Sequence, residues 1–188
     1  MLNRLIISKV RLKILKTYLL NPDQSHHIRG LVRTLEEEIN AVRRELKNLE
    51  LFGIIKSEKQ TNKLVYTLNK DCVFLNELRS MFLKDTKEIR LITEVLRKIG
   101  DVDTAIITKA YITKEYASEN DVDILIIGKP NLNKIGKEMN KVEKELDRVL
   151  RMAVMSPEDF EFKRKRREPY LIDILENERV VLFGGPGL

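Results

Sequence analysis

Length, charge and residue types limit the classes of protein to which this sequence can belong. The chain has 188 residues, with 35 Lys and Arg against 29 Asp and Glu and a formal net charge of +6 at pH 7. A single cysteine, Cys72, excludes an internal disulfide framework and a cysteine-cluster zinc site. Charged residues interrupt the N-terminal apolar run every few positions, so we expect neither a signal peptide nor a membrane span, and we interpret the protein as cytoplasmic.

The positive charge is concentrated in the first part of the chain. Residues 1–70 contain 14 Lys and Arg against 7 Asp and Glu, whereas residues 71–188 contain 21 against 22. The length allows one large domain or two small ones. The uneven charge favours two domains, the first of which meets a polyanion.

Periodicity predicts the elements of the basic region in chain order. Apolar residues at spacings of three and four predict three helices, with Ser25 as the N-cap of the second and Gly53 just after the third. These helices are predicted over residues 8–20, 24–35 and 36–51. Residues 54–68, "IIKSEKQTNKLVYTL", alternate on both sides of a polar centre and predict a β-hairpin.

Three short helices followed by a basic hairpin resemble a winged helix-turn-helix domain. The stretch "NAVRRELKNLELFGII", residues 40–55, is similar to the recognition helix and following strand of small prokaryotic winged-helix regulators. The residues that carry this similarity are Leu46, Leu49, Gly53, Ile54 and Ile55. The resemblance implies that residues 1–70 bind double-stranded DNA.

Residues 71–100 are interpreted as a helical linker. Between 71 and 99 the sequence has no glycine or proline and predicts one long helix or two in tandem. Its apolar stripe is wider than a solvated linker needs, and it packs either against a second chain or against this chain's own second domain. The stripe contains Phe74, Leu78, Met81, Phe82, Ile89, Ile92, Leu96 and Ile99.

The remaining residues alternate between strand and helix patterns. This alternation predicts a layered α/β domain over residues 101–188, with a largely hydrophobic sheet. Strands are predicted over residues 104–108, 123–127, 152–155 and 180–183. Helices are predicted over residues 132–150, 156–162 and 169–176. The basic stretch "KRKRR", residues 163–167, contacts nucleic acid or an acidic partner, or is a solvated loop.

The predicted third helix carries a polar face suited to the major groove of DNA. Asn40, Arg43, Arg44 and Lys47 recur at helical spacing; Arg pairs with guanine, Asn with adenine and Lys with phosphate. Lys56, Lys59 and Lys63 of the hairpin would add backbone contacts. The alternative is an ordinary solvated face. Three carboxylates at 36–38 suit the positive end of the helix, but they lie where a recognition helix approaches the bases.

A second candidate site is the pair Asp121 and Asp123 in "ASENDVDILIIG", residues 117–128. Residues two apart on a strand point to the same side, and two close carboxylates repel unless a cation lies between them. Mg²⁺ prefers such oxygen ligands together with substrate phosphates. The alternative is the polar end of a buried strand.

Residues 104–128 resemble the core of the minimal nucleotidyltransferase family, in which Asp-x-Asp opens a strand after a Gly-Ser turn. The resemblance implies that Asp121 and Asp123 hold Mg²⁺ with a nucleoside triphosphate. Lys109 and Ala110 replace the Gly-Ser pair, and Lys114 stands at the later loop glycine. No acid occupies the following strand, and Asp147 on the preceding helix is a poor substitute. These departures indicate a degenerate active site.

Residues 155–184, "MSPEDFEFKRKRREPYLIDILENERVVLFG", resemble the end of archaeal and bacterial proteins that fuse a winged helix to this domain. Together these resemblances predict a DNA-binding transcriptional regulator, a homodimer with a possible protein partner and a nucleotidyltransferase-like domain that is inactive. The alternative is a Mg²⁺-dependent nucleotidyltransferase that modifies a protein or RNA acceptor.

Overall fold

The computed structural model describes residues 2–184 of the chain. The chain divides into two compact units, Met1–Asp85 and Thr86–Leu188, which we call the N-terminal unit and the C-terminal unit. The division falls inside the predicted linker of residues 71–100. Residue 1 and residues 185–188, which the predicted domains of 1–70 and 101–188 include, lie outside the described range. Between residues 2 and 184, no helix is both long and apolar enough to cross a membrane.

The N-terminal unit combines helices with a small antiparallel sheet. Its helices are α1 (Leu2–Leu5), α2 (Lys9–Leu20), α3 (Ile28–Leu35), α4 (Ile39–Leu51) and α5 (Leu75–Lys84). Its strands are β1 (Ser25–His27), β2 (Ile55–Gln60) and β3 (Lys63–Leu68), paired in the order β1-β3-β2. Helices α2 to α4 followed by the β2–β3 hairpin have the arrangement of a winged helix-turn-helix domain, with the hairpin as the wing.

Apolar faces of α2, α3, α4 and α5 enclose the core of the N-terminal unit. Tyr18, Leu31 and Leu46 are fully buried there, one from each of α2, α3 and α4. The Tyr18 hydroxyl donates to the carbonyl of Tyr66 at 3.2 Å, which satisfies this buried polar group and connects α2 to the sheet. Helix α4 is therefore fixed on one side, and its other side is left to solvent.

Two helix starts in this unit differ from the prediction. Residues 25–27 form β1 instead of the first turn of α3, because they pair with residues 65–67 of β3, so Ser25 is not a helix cap. Helix α4 begins at Ile39, not at Glu36, because Glu36 adopts a left-handed conformation with φ 54° and Glu38 is the N-cap. The Glu38 carboxylate accepts from the amide of Ala41 at 2.8 Å.

The C-terminal unit contains a four-stranded mixed sheet with helices packed against it. Its strands are β4 (Val102–Ile107), β5 (Ile124–Gly128), β6 (Met152–Met155) and β7 (Val180–Phe183), in the order β6-β5-β4-β7. Its helices are α6 (Lys87–Ile99), α7 (Lys109–Thr113), α8 (Leu132–Leu146), α9 (Pro157–Lys165) and α10 (Pro169–Glu176). Strand β4 is antiparallel to β5 and β7, and β5 is parallel to β6.

Four features of this unit differ from the prediction. Helix α7 occupies residues that were expected to form a loop, and α8 ends at Leu146 instead of continuing to 150. Strand β4 begins two residues earlier than predicted, at Val102. Helix α9, which Ser156 caps and Pro157 begins, extends to Lys165 and so includes residues 163–165 of the basic stretch.

The predicted linker forms the two helices α5 and α6. Most of its apolar stripe is buried, in the N-terminal unit for α5 and in the C-terminal unit for α6. Thr86 separates them, since its hydroxyl accepts from the amide of Ile89 as the N-cap of α6. Leu78, Met81 and Phe82 of α5 pack in the core of the N-terminal unit. The stripe of α6 is buried in the C-terminal unit, where α6 packs against α8 and β4. Phe74 remains exposed.

Candidate functional site

The polar face predicted on the third helix lies on the solvent side of α4. Asn40, Arg43, Arg44 and Lys47 are all exposed, whereas Val42, Leu46 and Leu49 of the same helix are buried. The burial of the apolar stripe fixes the rotation of α4 about its own axis. The four polar side chains therefore project together from one face, which we call the α4 face.

The first two members of the α4 face contact each other. The Arg43 guanidinium donates to the side-chain oxygen of Asn40 at 3.2 Å. Arg44 and Lys47 form no ion pair with any residue between 2 and 184. Both side chains are exposed, and their charged groups are accessible to an anion.

The three carboxylates at 36–38 lie before α4, and two of them bind other groups of the protein. Glu37 pairs with Lys13 of α2 at 2.7 Å. Glu38 caps the helix, and hydrogen bonds from the amides of Asn40 and Ala41 hold the pKa of its carboxyl below the usual range. Two of the three acids are thus engaged by the protein itself, and all three precede the helix instead of forming its first turn.

The wing carries the three lysines expected to contact a polyanion, and the structure divides them. Gln60 and Lys63 pair across a two-residue turn, so Lys59 and Lys63 flank the tip of the hairpin and are exposed. Lys56 lies at the base of the wing and pairs with Asp71 at 2.6 Å. Lys59 and Lys63 are therefore better placed for phosphate contacts than Lys56.

A buried ion pair between α2 and α4 supports the α4 face from behind. Glu45 is 4% exposed, and its carboxylate accepts from the Arg11 guanidinium at 2.8 Å and from the Ser8 hydroxyl at 2.9 Å. Burial raises the pKa of Glu45, but the bonds from Arg11 and Ser8 outweigh it and hold the pKa below its usual value. The pair could not be predicted from the sequence, because its members are 34 residues apart.

In the C-terminal unit, Asp123 is the centre of a hydrogen-bonded cluster. Its carboxylate is fully buried; Oδ1 accepts from Arg148 Nη2 at 2.7 Å and from the Tyr116 hydroxyl at 2.7 Å. Its other oxygen, Oδ2, accepts from the amide of Arg151 at 2.8 Å. We call Tyr116, Asp123, Arg148 and Arg151 the Asp123 cluster.

Aromatic rings hold the two arginines of the Asp123 cluster. The Arg148 guanidinium lies 4.4 Å from the centre of the Tyr111 ring, and Arg151 lies 4.3 Å from the centre of the Tyr116 ring. Burial lowers the pKa of Arg148, but its bond with Tyr116 and the charge of Asp123 outweigh that effect and raise it. Arg148 is therefore a permanent cation beside Asp123.

Asp121 has a different set of partners from Asp123. Its Oδ2 accepts from the amides of Ala117 and Ser118, at 2.6 Å and 2.9 Å, and so closes the turn before β5. We expected the two carboxylates to face one shared cation. They instead bind separate groups, because β5 begins at Ile124 and Asp121 lies in the preceding turn.

A cavity of about 500 Å³ adjoins Asp121. Lys109 and Ala110, at the start of α7, line it together with Asp121, Glu115 and Tyr170, whereas Asp123 does not. The structure thus brings Lys109, Ala110 and Asp121 together. Lys114, at the position where the resemblance implies glycine, has a φ of 62°, a conformation that glycine adopts without cost.

The acidic side chains near β5 do not provide the ligand set that Mg²⁺ requires. Mg²⁺ demands near-octahedral oxygen coordination, and both Asp123 oxygens are already acceptors for protein donors. Asp147, the remaining acid suggested by sequence, ends α8 in a left-handed conformation and is exposed. Between residues 2 and 184, no three His, Cys, Asp or Glu side chains converge on a metal-sized site. The residues as arranged do not fit Mg²⁺.

The sequence patterns did not predict Arg148, Tyr116 and Arg151 as partners of Asp123. They lie 25, 7 and 28 residues from Asp123, and no spacing pattern connects them to it. The structural feature that brings Arg148 and Arg151 to Asp123 is the early end of α8, where Asp147 has a φ of 49°. Asp is one of the residues that tolerate this conformation.

The comparisons with known proteins give two partial structural likenesses. No protein-family model and no curated protein matches the chain. The structure of reduced HlyU from Vibrio cholerae N16961 is 24% identical and covers 44% of this chain and 78% of that chain, with a TM-score of 0.34. The structure of disulfide-formed AbfR is 23% identical and covers 52% of this chain and 70% of that chain, with a TM-score of 0.33.

Proposed function

We propose that this protein is a DNA-binding transcriptional regulator that places α4 in the major groove and the wing along the phosphate backbone. The single observation that carries this proposal is the α4 face, in which Asn40, Arg43, Arg44 and Lys47 are exposed on one side of a helix held by the core on the other. Arg and Asn side chains read guanine and adenine edges in the major groove.

The charge of the N-terminal unit supports the same function. The excess of 14 basic over 7 acidic residues in 1–70 attracts a polyanion at long range. Lys59 and Lys63 at the wing tip would contact phosphates, which adds affinity without sequence preference. Glu37 and Glu45 are paired with Lys13 and Arg11, which lie outside the α4 face.

We further propose that the regulator acts as a homodimer. Large apolar side chains are exposed near the end of α4 and before α5, with Phe52 at 72% and Val73 at 82% exposure, beside Leu51 and Phe74. Exposed apolar groups of this size favour a protein contact. A dimer would also compensate for the small contact area of a single winged helix by binding two half-sites. Sedimentation equilibrium of the wild type and Phe52→Ser tests this, with a monomeric wild type as the contrary result.

For the C-terminal unit we propose a non-catalytic role as a ligand sensor or an assembly platform for a protein partner. The cavity beside Lys109, Ala110 and Asp121 supports ligand binding.

The opposing proposal is a working nucleotidyltransferase with Mg²⁺, Asp121 and Asp123. Incorporation of label from a nucleoside triphosphate into a protein or RNA, abolished by Asp121→Asn, would establish the enzyme instead.

The DNA-binding proposal is tested by fluorescence anisotropy with fragments of the source genome at several salt concentrations. Binding that weakens steeply with salt is expected, because Lys and Arg displace counterions from phosphates. A matched variant, Arg44→Gln with Lys47→Gln, removes two charges from the α4 face without touching the core. Loss of affinity in this variant with an unchanged unfolding midpoint supports the proposal.

A further inference from the structure

Asp123 is a carboxylate in an apolar part of the C-terminal unit. It is fully buried directly before β5, whose first four residues are apolar. Removing a carboxylate from water is strongly unfavourable unless an opposite charge and hydrogen bonds compensate it. A cation beside Asp123 would supply that compensation.

The geometry supplies a cation from within the chain. The guanidinium of Arg148 reaches Asp123 Oδ1 at 2.7 Å and the Tyr116 hydroxyl at 2.9 Å, and it packs over the ring of Tyr111. Its backbone is also held, since the amide of Arg148 donates to the carbonyl of Glu143, and the Glu143 carboxylate accepts from the amide of Leu150 at 2.7 Å. The end of α8 therefore positions Arg148 against Asp123.

A bound metal ion would have to compete with this arrangement. It would lie within contact distance of the Arg148 charge, and it would share both Asp123 oxygens with donors of the protein. Asp121 offers little help, because its Oδ2 already closes the turn at residues 117–118.

We infer that the Arg148 guanidinium is the resident cation of the Asp-x-Asp site, in the place where the sequence predicts a metal, and that it fastens the 114–121 segment to the sheet through Asp123 and Tyr116. Removing Arg148 unmasks a cation site at Asp123. This inference deepens the non-catalytic role proposed for the C-terminal unit. It does not depend on DNA binding, and a failure of either leaves the other standing.

The test uses Tb³⁺ as the probe on the full chain, because a tyrosine close to the ion sensitises its luminescence. Tyr116 and Tyr111 both adjoin the Asp123 cluster, so an ion bound at Asp123 would be detected directly. The variants are Arg148→Ala, which removes the cation, Arg148→Lys, which retains a positive charge, and Arg148→Ala combined with Asp123→Asn, which measures binding elsewhere. Circular dichroism establishes that each variant is folded.

The expected result is that Arg148→Ala binds Tb³⁺ at least about tenfold more tightly than the wild type, since the competing charge is gone. Arg148→Lys should behave like the wild type, and the double variant should lose the gain. Failure of a folded Arg148→Ala to gain affinity overturns the inference.

If Arg148→Ala does not fold, the inference is tested by the effect of Mg²⁺ on the unfolding midpoint of the wild type. An unfolding midpoint unchanged by millimolar Mg²⁺ supports the inference, and a rise that Asp123→Asn abolishes overturns it.

Discussion

Glu45, on the inner side of α4, is bound by the guanidinium of Arg11 from α2 at 2.8 Å, directly behind the exposed α4 face. The same helix thus presents one face to solvent and anchors the other through a buried ion pair. Arg11 itself is about one-third exposed, which moderates the strength of the pair. The contact fixes the orientation of α4 relative to α2, and with it the direction in which Arg43, Arg44 and Lys47 project.

Arg11→Ala is expected to destabilise the N-terminal unit by about 2 kcal/mol, because it leaves the buried Glu45 carboxylate without its cation, with only the neutral side chains of Ser8 and Asn48 as donors. Denaturant unfolding followed by circular dichroism measures this. The matched control is Lys70→Ala, which breaks the exposed Lys70–Asp23 pair and should change the unfolding midpoint little. Equal losses of stability for the two variants would contradict the assigned role of Glu45.

The stability of the N-terminal unit should fall in acid through Glu45. Its folded pKa lies below the usual value of 4.5, so its ionised form stabilises the fold above that pH, and the contribution is lost as the pH falls through the folded pKa. Glu45→Gln should reduce the change in unfolding free energy across this window. An acid profile identical to that of the wild type would show that other groups dominate.

His26 should add a second acid-sensitive contribution at higher pH. Its ring packs edge-on against Tyr18 at 5.5 Å, and among the described residues its buried Nδ1 has no hydrogen-bond partner. Burial lowers the pKa of His26 below 6.5, so the unfolded chain takes up a proton first, and stability is lost as the pH falls below 6.5. His26→Phe should flatten the unfolding free energy between about pH 7 and about pH 5.5. The same pH dependence of the unfolding free energy in His26→Phe and in the wild type would contradict this contribution.

Two glycines of the C-terminal unit should respond in opposite directions to alanine. At Gly128, with φ 151°, a Cβ would press on the backbone of Asp101 and Val102, so Gly128→Ala should cost about 2 kcal/mol. At Gly136, inside α8, nothing lies within 4 Å of a Cβ, and Gly136→Ala should stabilise by about 0.5–1 kcal/mol. Thermal unfolding measures both variants, and midpoints that shift in the same direction would contradict this expectation.

Base contact by α4 and backbone contact by the wing should be separable. Arg43→Ala is expected to weaken binding to a preferred DNA sequence by about tenfold or more, and to relax the choice of base. Lys59→Ala should weaken binding less, and equally for all sequences, because this lysine would touch a phosphate and not a base. Anisotropy titrations against preferred and scrambled duplexes compare them. If Arg43→Ala affected all sequences equally, base readout by Arg43 would be excluded.

The sequence predicted the regular elements better than the contacts between them. Periodicity gave α2, the end of α4 and the wing, since one buried face per element determines each pattern. It could not give β1, because Ser25–His27 is a strand only through pairing with β3. It also placed Glu36 inside a helix, whereas a left-handed turn at this residue starts α4 three residues later.

In the candidate sites, too, residues on one element were predicted better than contacts between elements. The α4 face follows from spacing on one helix, so its four residues are found together on the exposed side. The Asp123 cluster depends on Arg148 and Arg151, which reach Asp123 only because α8 ends at Leu146. A spacing of two on a predicted strand implied a shared site for Asp121 and Asp123. The start of β5 at Ile124 places Asp121 in a turn with other partners.

DNA binding by the α4 face is tested most directly by the salt dependence of DNA affinity for the wild type and for Arg44→Gln with Lys47→Gln. We predict that the wild type binds and that its logarithmic affinity falls linearly with the logarithm of salt concentration. The variant should bind more weakly, with a slope reduced by about 1 for each side chain that no longer pairs with a phosphate. No binding by the wild type even at low salt, or an identical slope and affinity in the variant, would contradict a DNA-binding role for this face.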